Sequence, residues 1–403
     1  MKPRHRCIIV LAAAVLFTLA PSAWAGARKY KILHNFGSSS DGAAPYGPPT
    51  RDEQGNLYGT TVAGGGSGCG GNGCGTVFQL TPKGNGKWGE QILYAFTDTG
   101  HGYAFPEGNL VRADSGNLYG FAKSDYCCYT AIFELSPGSG GWNFSPIWTQ
   151  GASPGLLMDG VGNLYGAMGY HAGPVAELSL GTDGWTYTDL CDSCSPSAPL
   201  SWDSHGNLYG TQLIGGNGPP KCPGSGGCGY AFQVAPNGDG TWTCHVLYRF
   251  ANFPTDGYYP YAGLTIDASG TAYGVTSAGG KYDNGTFFKL TLQADGRWKE
   301  TILYQFPNCN DGCGPLNTLV FDKTGALYGS AAGGSTACGY TCGVVFKFSP
   351  QKNGTWKYSV VRKFNSSDGA FPYGVVLDSK GNIFGTTQAG GTYGGGVAFE
   401  ITP

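Results

Sequence analysis

The residues of this sequence best suited to chemistry are its cysteines. Of 14, Cys7 and Cys244 stand apart, and the other twelve fall into close pairs: Cys69/Cys74, Cys127/Cys128, Cys191/Cys194, Cys222/Cys228, Cys309/Cys313 and Cys338/Cys342. Thiols so spaced hold zinc or close disulfides. Structural zinc sites combine two such pairs in one compact cluster. These pairs are instead spread along the repeats, so a local disulfide within each pair is expected. Cys191-Asp-Ser-Cys194 has the C-x-x-C spacing of a zinc or redox motif and is assigned to the same local class. A vicinal Cys127–Cys128 bridge would be strained, which leaves that pair either a stiff link or two thiols. Cys244, inside a strand, is expected to be a small buried residue.

Carboxylates recur as well. Asp52, Asp159, Asp203, Asp267, Asp322 and Asp378 each stand three residues before a Gly, while one repeat has Ala113 there and Asp114 displaced by one. A ring of carboxylates would suit calcium or acid catalysis, but chemistry needs one site and not one per repeat. Asp-x-x-Gly is read instead as an Asx-type turn, with the carboxylate accepting backbone N–H bonds and Gly supplying positive φ. His34, His101, His171, His205 and His245 are scattered without metal-ligand spacing, so neither a metal nor a cofactor is expected. Gly151-Ala-Ser-Pro-Gly155 matches a hydrolase motif but lacks its strand–turn–helix setting. The G-x-G matches between Gly64 and Gly75 open no helix. No enzyme is indicated, although a carboxylate pair assembled from separate repeats would leave no local signature.

Aromatic residues gather at a third recurrent place. Asp-Gly-x-x-Pro occurs at Asp41, Asp256, Asp311 and Asp368, with a Gly102/Pro106 variant, and around it stand Tyr46, Tyr103, Phe105, Tyr258, Tyr259, Tyr261, Phe371 and Tyr373. Aromatic faces on a rigid scaffold suit sugar rings or a protein partner, or else seal the rim between repeats. Two repeats break the pattern nearby, with Lys123-Ser-Asp-Tyr-Cys-Cys-Tyr129 and Gly169-Tyr-His-Ala-Gly173. Asymmetry in a ring is where a specific site can sit, so Asp125, Tyr126 and His171 join Tyr103, Phe105, Tyr258, Tyr259, Tyr261, Phe371 and Tyr373 as candidate ligand contacts.

The elements that must position these residues follow from the repeat. Gly55-Asn-Leu-Tyr-Gly59 recurs at Gly116, Gly162 and Gly206, and in altered form at Gly270, Gly325 and Gly381, making seven copies. Each sits in a unit of four short strands. Strand A is an apolar run ending at the Asp turn, strand B is the Asn-Leu-Tyr-Gly segment, and strand C follows a Gly-rich loop. Strand D opens with Trp, and in four units closes with Phe eight residues on (Trp88/Phe96, Trp242/Phe250, Trp298/Phe306, Trp356/Phe364). Period-two patterning with Gly, Pro and Asp turns is a strand signal. The fold class is therefore all-β, a seven-bladed propeller with four strands per blade. The last unit stops after strand C, and Arg28-Lys-Tyr-Lys-Ile-Leu-His-Asn-Phe36 aligns with Trp88 to Phe96, so an N-terminal strand is expected to complete the last blade and close the ring.

The unit Gly-Asn-Leu-Tyr-Gly-Thr-Thr, Ala-Gly-Gly-Gly, Cys-Gly-Thr-Val-Phe-x-Leu-Thr-Pro, then Trp and Leu-Tyr-x-Phe resembles the GloVer-type tandem repeat of bacterial exported proteins, over residues 28 to 403. The resemblance implies an extracellular repeat scaffold and brings no catalytic residues with it.

Compartment and partners are read from the remaining features. Lys2, Arg4, His5 and Arg6 precede an apolar run, Ile8 to Leu19, and Ala23-Trp24-Ala25 offers a cleavage site, so residues 1–25 read as a signal peptide. Residues 26–403 would then form one propeller domain, secreted or periplasmic, with no transmembrane segment and expected to be a monomer. Gly numbers 71 of 403 and charged residues make only 12%, about half the usual share. A net charge of −2 with no basic run argues against nucleic acid. The expected role is a binding module using the face that carries the B–C and D–A loops, for a polysaccharide or an envelope protein. A carbohydrate-active enzyme with its site at the channel mouth and a structural matrix component are the alternatives.

Overall fold

A computed structural model describes residues 28–37, 40–97, 102–124, 130–169, 173–216, 222, 226–251, 254–339 and 341–403. Seven small antiparallel sheets make the seven blades, each ordered A-B-C-D. Blade 2 is typical: Tyr103–Arg112, Leu118–Ser124, Thr130–Gly138 and Gly141–Trp148. The last blade takes strands Ala370–Leu377, Ile383–Ala389 and Val397–Thr402 from the C-terminal end and Lys29–Asn35 from the N-terminal end. Tyr30 pairs with Ile401 and Ile32 with Phe399, so the ring closes by backbone hydrogen bonds as the repeat alignment predicts. Among the described residues no helix is long and apolar enough to cross a membrane.

The Asn-Leu-Tyr-Gly motif builds the inside of each blade. Gly59 faces Phe78 across strands B and C, and a Cβ there would lie 2.5 Å from the ring. Gly120, Gly210, Gly274, Gly329 and Gly385 meet Phe133, Phe232, Phe288, Phe346 and Phe399 in the same way. Only Gly leaves room for a Phe in this register, and these Phe rings are fully buried. The Asp of the A–B turn is structural, as read from its repetition. Asp52 accepts from the Asn56 N–H, the Asn56 amide and the Tyr58 hydroxyl at 2.8, 2.8 and 3.0 Å. Asp203 does the same with Asn207 and Tyr209. Where blade 2 carries Ala113, Glu134 on strand C receives Asn117 and Tyr119 instead.

Strand D joins the blades. In every blade the ladder between C and D skips one residue of D, such as Leu33, Leu93, Leu247 and Leu303. A bulge reverses the facing of the side chains beyond it. The residue two after the opening Trp therefore faces the preceding blade, and the residue six after it faces the next. Around the ring the facing pairs are Tyr94 and Phe144 stacked at 4.9 Å, Trp148 and Tyr187 at 4.4 Å, and Tyr304 and Tyr358 at 4.7 Å. Arg362 lies 4.0 Å above the Tyr30 ring, His34 Nε2 lies 3.5 Å from Glu90, and Tyr248 meets Glu300.

The remaining seam corrects the cysteine assignment. Cys191 is bonded to Cys244 of the next blade, and Cys194 is a buried free thiol. Cys191 holds the Trp185 plus six position and Cys244 the Trp242 plus two position, so the pair occupies the place of the aromatic stacks. A C-x-x-C reading by proximity in sequence misses this, because the bulge aims Cys191 across the seam. Cys69–Cys74, Cys222–Cys228, Cys309–Cys313 and Cys338–Cys342 are local bridges as expected. Cys127, Cys128 and the proposed signal peptide lie outside the described residues.

Candidate functional site

The D–A loops lead into the inner strands, so the Asp-Gly-x-x-Pro element sits at one mouth of the ring. Its Asp ties the loop down. Asp256 accepts bonds from the Tyr248 hydroxyl and from the Ala251 and Gly257 N–H groups at 2.8, 2.8 and 2.7 Å, and Asp41 from His34 and Gly42. Its Pro packs against a Gly of the preceding blade. A Cβ on Gly75 would lie 2.6 Å from Pro106, and one on Gly343 would lie 2.4 Å from Pro372.

The residue before that Pro is held in the left-handed region. Phe105, Tyr259 and Phe371 have φ of 50, 58 and 57°, a conformation that bulky residues rarely adopt. Each donates its backbone N–H to the carbonyl of the second cysteine in the preceding blade's braced loop: Cys74, Cys228 and Cys342, at 2.8, 3.1 and 3.1 Å. The other two copies of the element, in blades 1 and 6, follow loops with no such bridge and place Ala44 and Gly314 there instead, with N–H groups that reach Gly395 and Asn284. The position is left-handed with or without a bridge, and the three copies that carry an aromatic there are the three that follow a braced loop. Phe105 and Tyr259 are half-buried against the cores that Cys69 and Cys222 also pack on, while Phe371 stays 37% exposed.

The residue after the Pro faces the axis. Tyr46 and Tyr373 pair with ring centroids 4.2 Å apart. Burial, a hydrogen bond with Tyr46, and the nearby Tyr46, Glu107 and Tyr261 hold the Tyr373 hydroxyl protonated far above its ordinary range. Tyr46, Glu107, Tyr261 and Tyr373 all follow the Pro of their element, and blades 1, 2, 5 and 7 therefore bring them together. Glu107 is ion-paired with Lys123, and Tyr261 is 44% exposed. Tyr46, Tyr261, Tyr373, Glu107 and Lys123 offer tyrosine rings, phenol hydroxyls and an ion pair at a single mouth. Sequence reasoning did not select Tyr46 or Glu107 for the site. The signal was their shared place after the Pro, which aligning the elements would have displayed.

The remaining candidates divide. Tyr258 is buried at 4% exposure, with its hydroxyl donating to Asp283 at 2.7 Å, and belongs to the packing between strands rather than to the surface. Tyr103 is half-buried beside Phe144, against the core that includes Phe96. Asp125, Tyr126 and His171 lie outside the described residues. On the opposite face a cleft of about 560 Å³ opens between blades 4 and 5, lined by Asp203, His205, Gln233, His245, Leu292 and Trp298 among others. Burial opposes ionisation of Asp203, but the bonds from Asn207, His205 and Tyr209 outweigh it and lower its pKa. That carboxylate is saturated by its own turn.

Comparisons with known proteins accord with this architecture. The family model described as the Gloeobacter/Verrucomicrobia repeat matches residues 195–403. No curated protein matches the chain in sequence. A solved protein from Lactobacillus plantarum is similar at TM-score 0.51 and 14% identity, covering 81% of this chain and 95% of that one. The extracellular domain of a protein described as a hybrid two-component system from B. thetaiotaomicron is similar at TM-score 0.52 and 12% identity, over 93% of this chain and 41% of that one. At such identities the likeness is one of fold. With more than half of its length matched by the family model, the chain belongs to the Gloeobacter/Verrucomicrobia repeat family.

Proposed function

We propose that this propeller is a carbohydrate-binding module, extracellular or periplasmic, and that the mouth carrying the D–A and B–C loops is its recognition surface. The observation that carries the reading is the convergence of Tyr46, Tyr373, Tyr261 and Glu107 from four blades. Tyrosine rings stack on the apolar faces of sugars, and the phenol hydroxyls and the Glu107–Lys123 pair supply hydrogen bonds around them. The left-handed aromatics beside them add strained, pre-set backbone, which favours rigid recognition.

Binding without turnover is the second part of the proposal. Glycoside hydrolysis takes two carboxyl groups across the bond; among the described residues the carboxylate in electrostatic reach of Tyr373 is Glu107, and it is ion-paired with Lys123. The alternative of a carbohydrate-active enzyme is separated by following product in the same wells as binding. Residues 26–403 in oxidised form, tested against a panel of bacterial and plant polysaccharides, should retain a subset without releasing oligosaccharides. Tyr373→Ala and the more exposed Tyr261→Ala should each weaken that binding by about tenfold or more, since about 1.4 kcal/mol of lost stacking is a factor of ten. Unchanged affinity in both variants would remove this mouth as the site, and released product would replace binding by catalysis.

A further inference from the structure

We infer that Cys191, Cys194 and Cys244 form a thiol–disulfide exchange site that latches and unlatches the seam between blades 3 and 4. The three sulfurs lie within 4.8 Å of one another, and the Cys191–Cys244 bridge joins strand Gly184–Cys191 to strand Trp242–Arg249. Cys194 follows Cys191 by three residues, so its sulfur sits beside the bond and on the blade 3 side of it. Ser193 Oγ stands 3.6 Å from the Cys191 sulfur and 4.0 Å from that of Cys194. Every other seam is closed by a pair that cannot be exchanged, whether stacked rings, a cation over a ring or a carboxyl contact.

The step needs no oxidant or reductant. The Cys194 thiolate attacks the Cys191 sulfur, a Cys191–Cys194 bond forms, the Cys191–Cys244 bond breaks, and Cys244 leaves as the thiolate and takes up the proton that Cys194 gave to solvent. One disulfide and one thiol are present before and after. The product bridge is local to blade 3, so the covalent tie between the blades is gone while the fold keeps its other six seams. Burial pushes the Cys194 thiol up to about 11, against a weak opposing bond from Ser193. Tyr230 faces the same pocket with Arg249 over its ring. The thiol therefore rests protonated at neutral pH, and the latch moves slowly until the site opens or the pH rises.

The test is a disulfide map of the folded oxidised chain, held at pH values from 6 to 10, quenched with acid, alkylated and digested for mass spectrometry. Two isomers are expected: Cys191–Cys244 with Cys194 alkylated, and Cys191–Cys194 with Cys244 alkylated. Their interconversion should quicken by about tenfold per pH unit, following the thiolate fraction. Cys194→Ser should hold the chain in the first form and Cys244→Ser in the second. Amide hydrogens of Trp242–Arg249 should exchange at least about tenfold faster in Cys244→Ser than in Cys194→Ser. A map that stays wholly Cys191–Cys244 at every pH, although the same chain scrambles in denaturant, overturns the inference. So does a bridge from Cys194 to Cys244, or equal amide exchange in the two variants.

Discussion

At the scale of the residue, two half-buried glutamates carry more consequence than the exposed carboxylates. Glu90 faces Asp41, and Glu300 faces Asp256, at two of the seven seams. Burial first, and then the bond to and charge of Asp41, push the Glu90 carboxyl up to about 8. Burial and the charge of Asp256 push Glu300 up to about 8 as well. Asp41 is lowered despite its burial, by bonds from His34, Glu90 and Gly42. Each pair thus shares a proton at neutral pH. The folded chain holds these protons more tightly than the unfolded chain, where Glu titrates near 4.5. Their contribution to stability is therefore full below about pH 4.5 and is lost as pH rises through about 8. Melting temperature should fall between pH 6 and pH 9, and Glu90→Gln with Glu300→Gln, which mimics the protonated acids, should flatten that fall. An unchanged slope in the double variant would place the pH dependence elsewhere.

At the scale of the element, the disulfides divide by what they tie. Four bridges close loops of 4 to 6 residues in separation, and Cys191–Cys244 spans 53. In the chain-entropy account a cross-link stabilises in proportion to the logarithm of the loop that it closes. Cys191→Ala with Cys244→Ala should cost about 2 kcal/mol more than Cys309→Ala with Cys313→Ala, read from urea denaturation. The local bridges act in a different way. Three of them brace the loops whose Cys74, Cys228 and Cys342 carbonyls accept the Phe105, Tyr259 and Phe371 N–H groups, so their removal is felt at the loop face more than in global stability. Equal losses for the long and the short bridge would mean that residual structure in the unfolded chain already brings Cys191 near Cys244.

At the scale of the molecule, closure decides the ring. The strand Lys29–Asn35 covers the edge of Val397–Thr402, and Phe36 behind it is fully buried. Removal of residues 28–37 should leave an open hydrogen-bonding edge and an emptied core site. Open edges pair with other chains. The shortened chain should elute as aggregates and lose its cooperative melt, and a synthetic peptide of residues 28–37 added in excess should restore both by pairing as the missing strand. A truncated chain that melts as the full one does would show that six whole blades and three strands suffice. The mouth residues come from blades 1, 2, 5 and 7, so the same truncation should also abolish glycan retention.

Blade number, strand order and the Asp-x-x-Gly turn were legible in the sequence by itself, because the unit is written seven times, with the turn's Asp in six of them, and each copy folds over a short span of chain; closure was legible from the match of residues 28–36 to Trp88–Phe96. Four disulfides were legible for the same reason, since their partners lie within one loop. What only the tertiary structure decided are contacts across seams. Cys191 pairs with Cys244 and not with Cys194, because a bulge in strand D turns the Trp plus six position toward the next blade. Tyr258 is inside and Tyr261 outside although only two residues lie between them, because the Pro between them turns the chain from the seam to the axis. Glu107 joins three tyrosines from other blades, a meeting that separations of up to several hundred residues hide from any local pattern. Repetition records the blade, and the closing of the ring brings the blades' different side chains to one mouth.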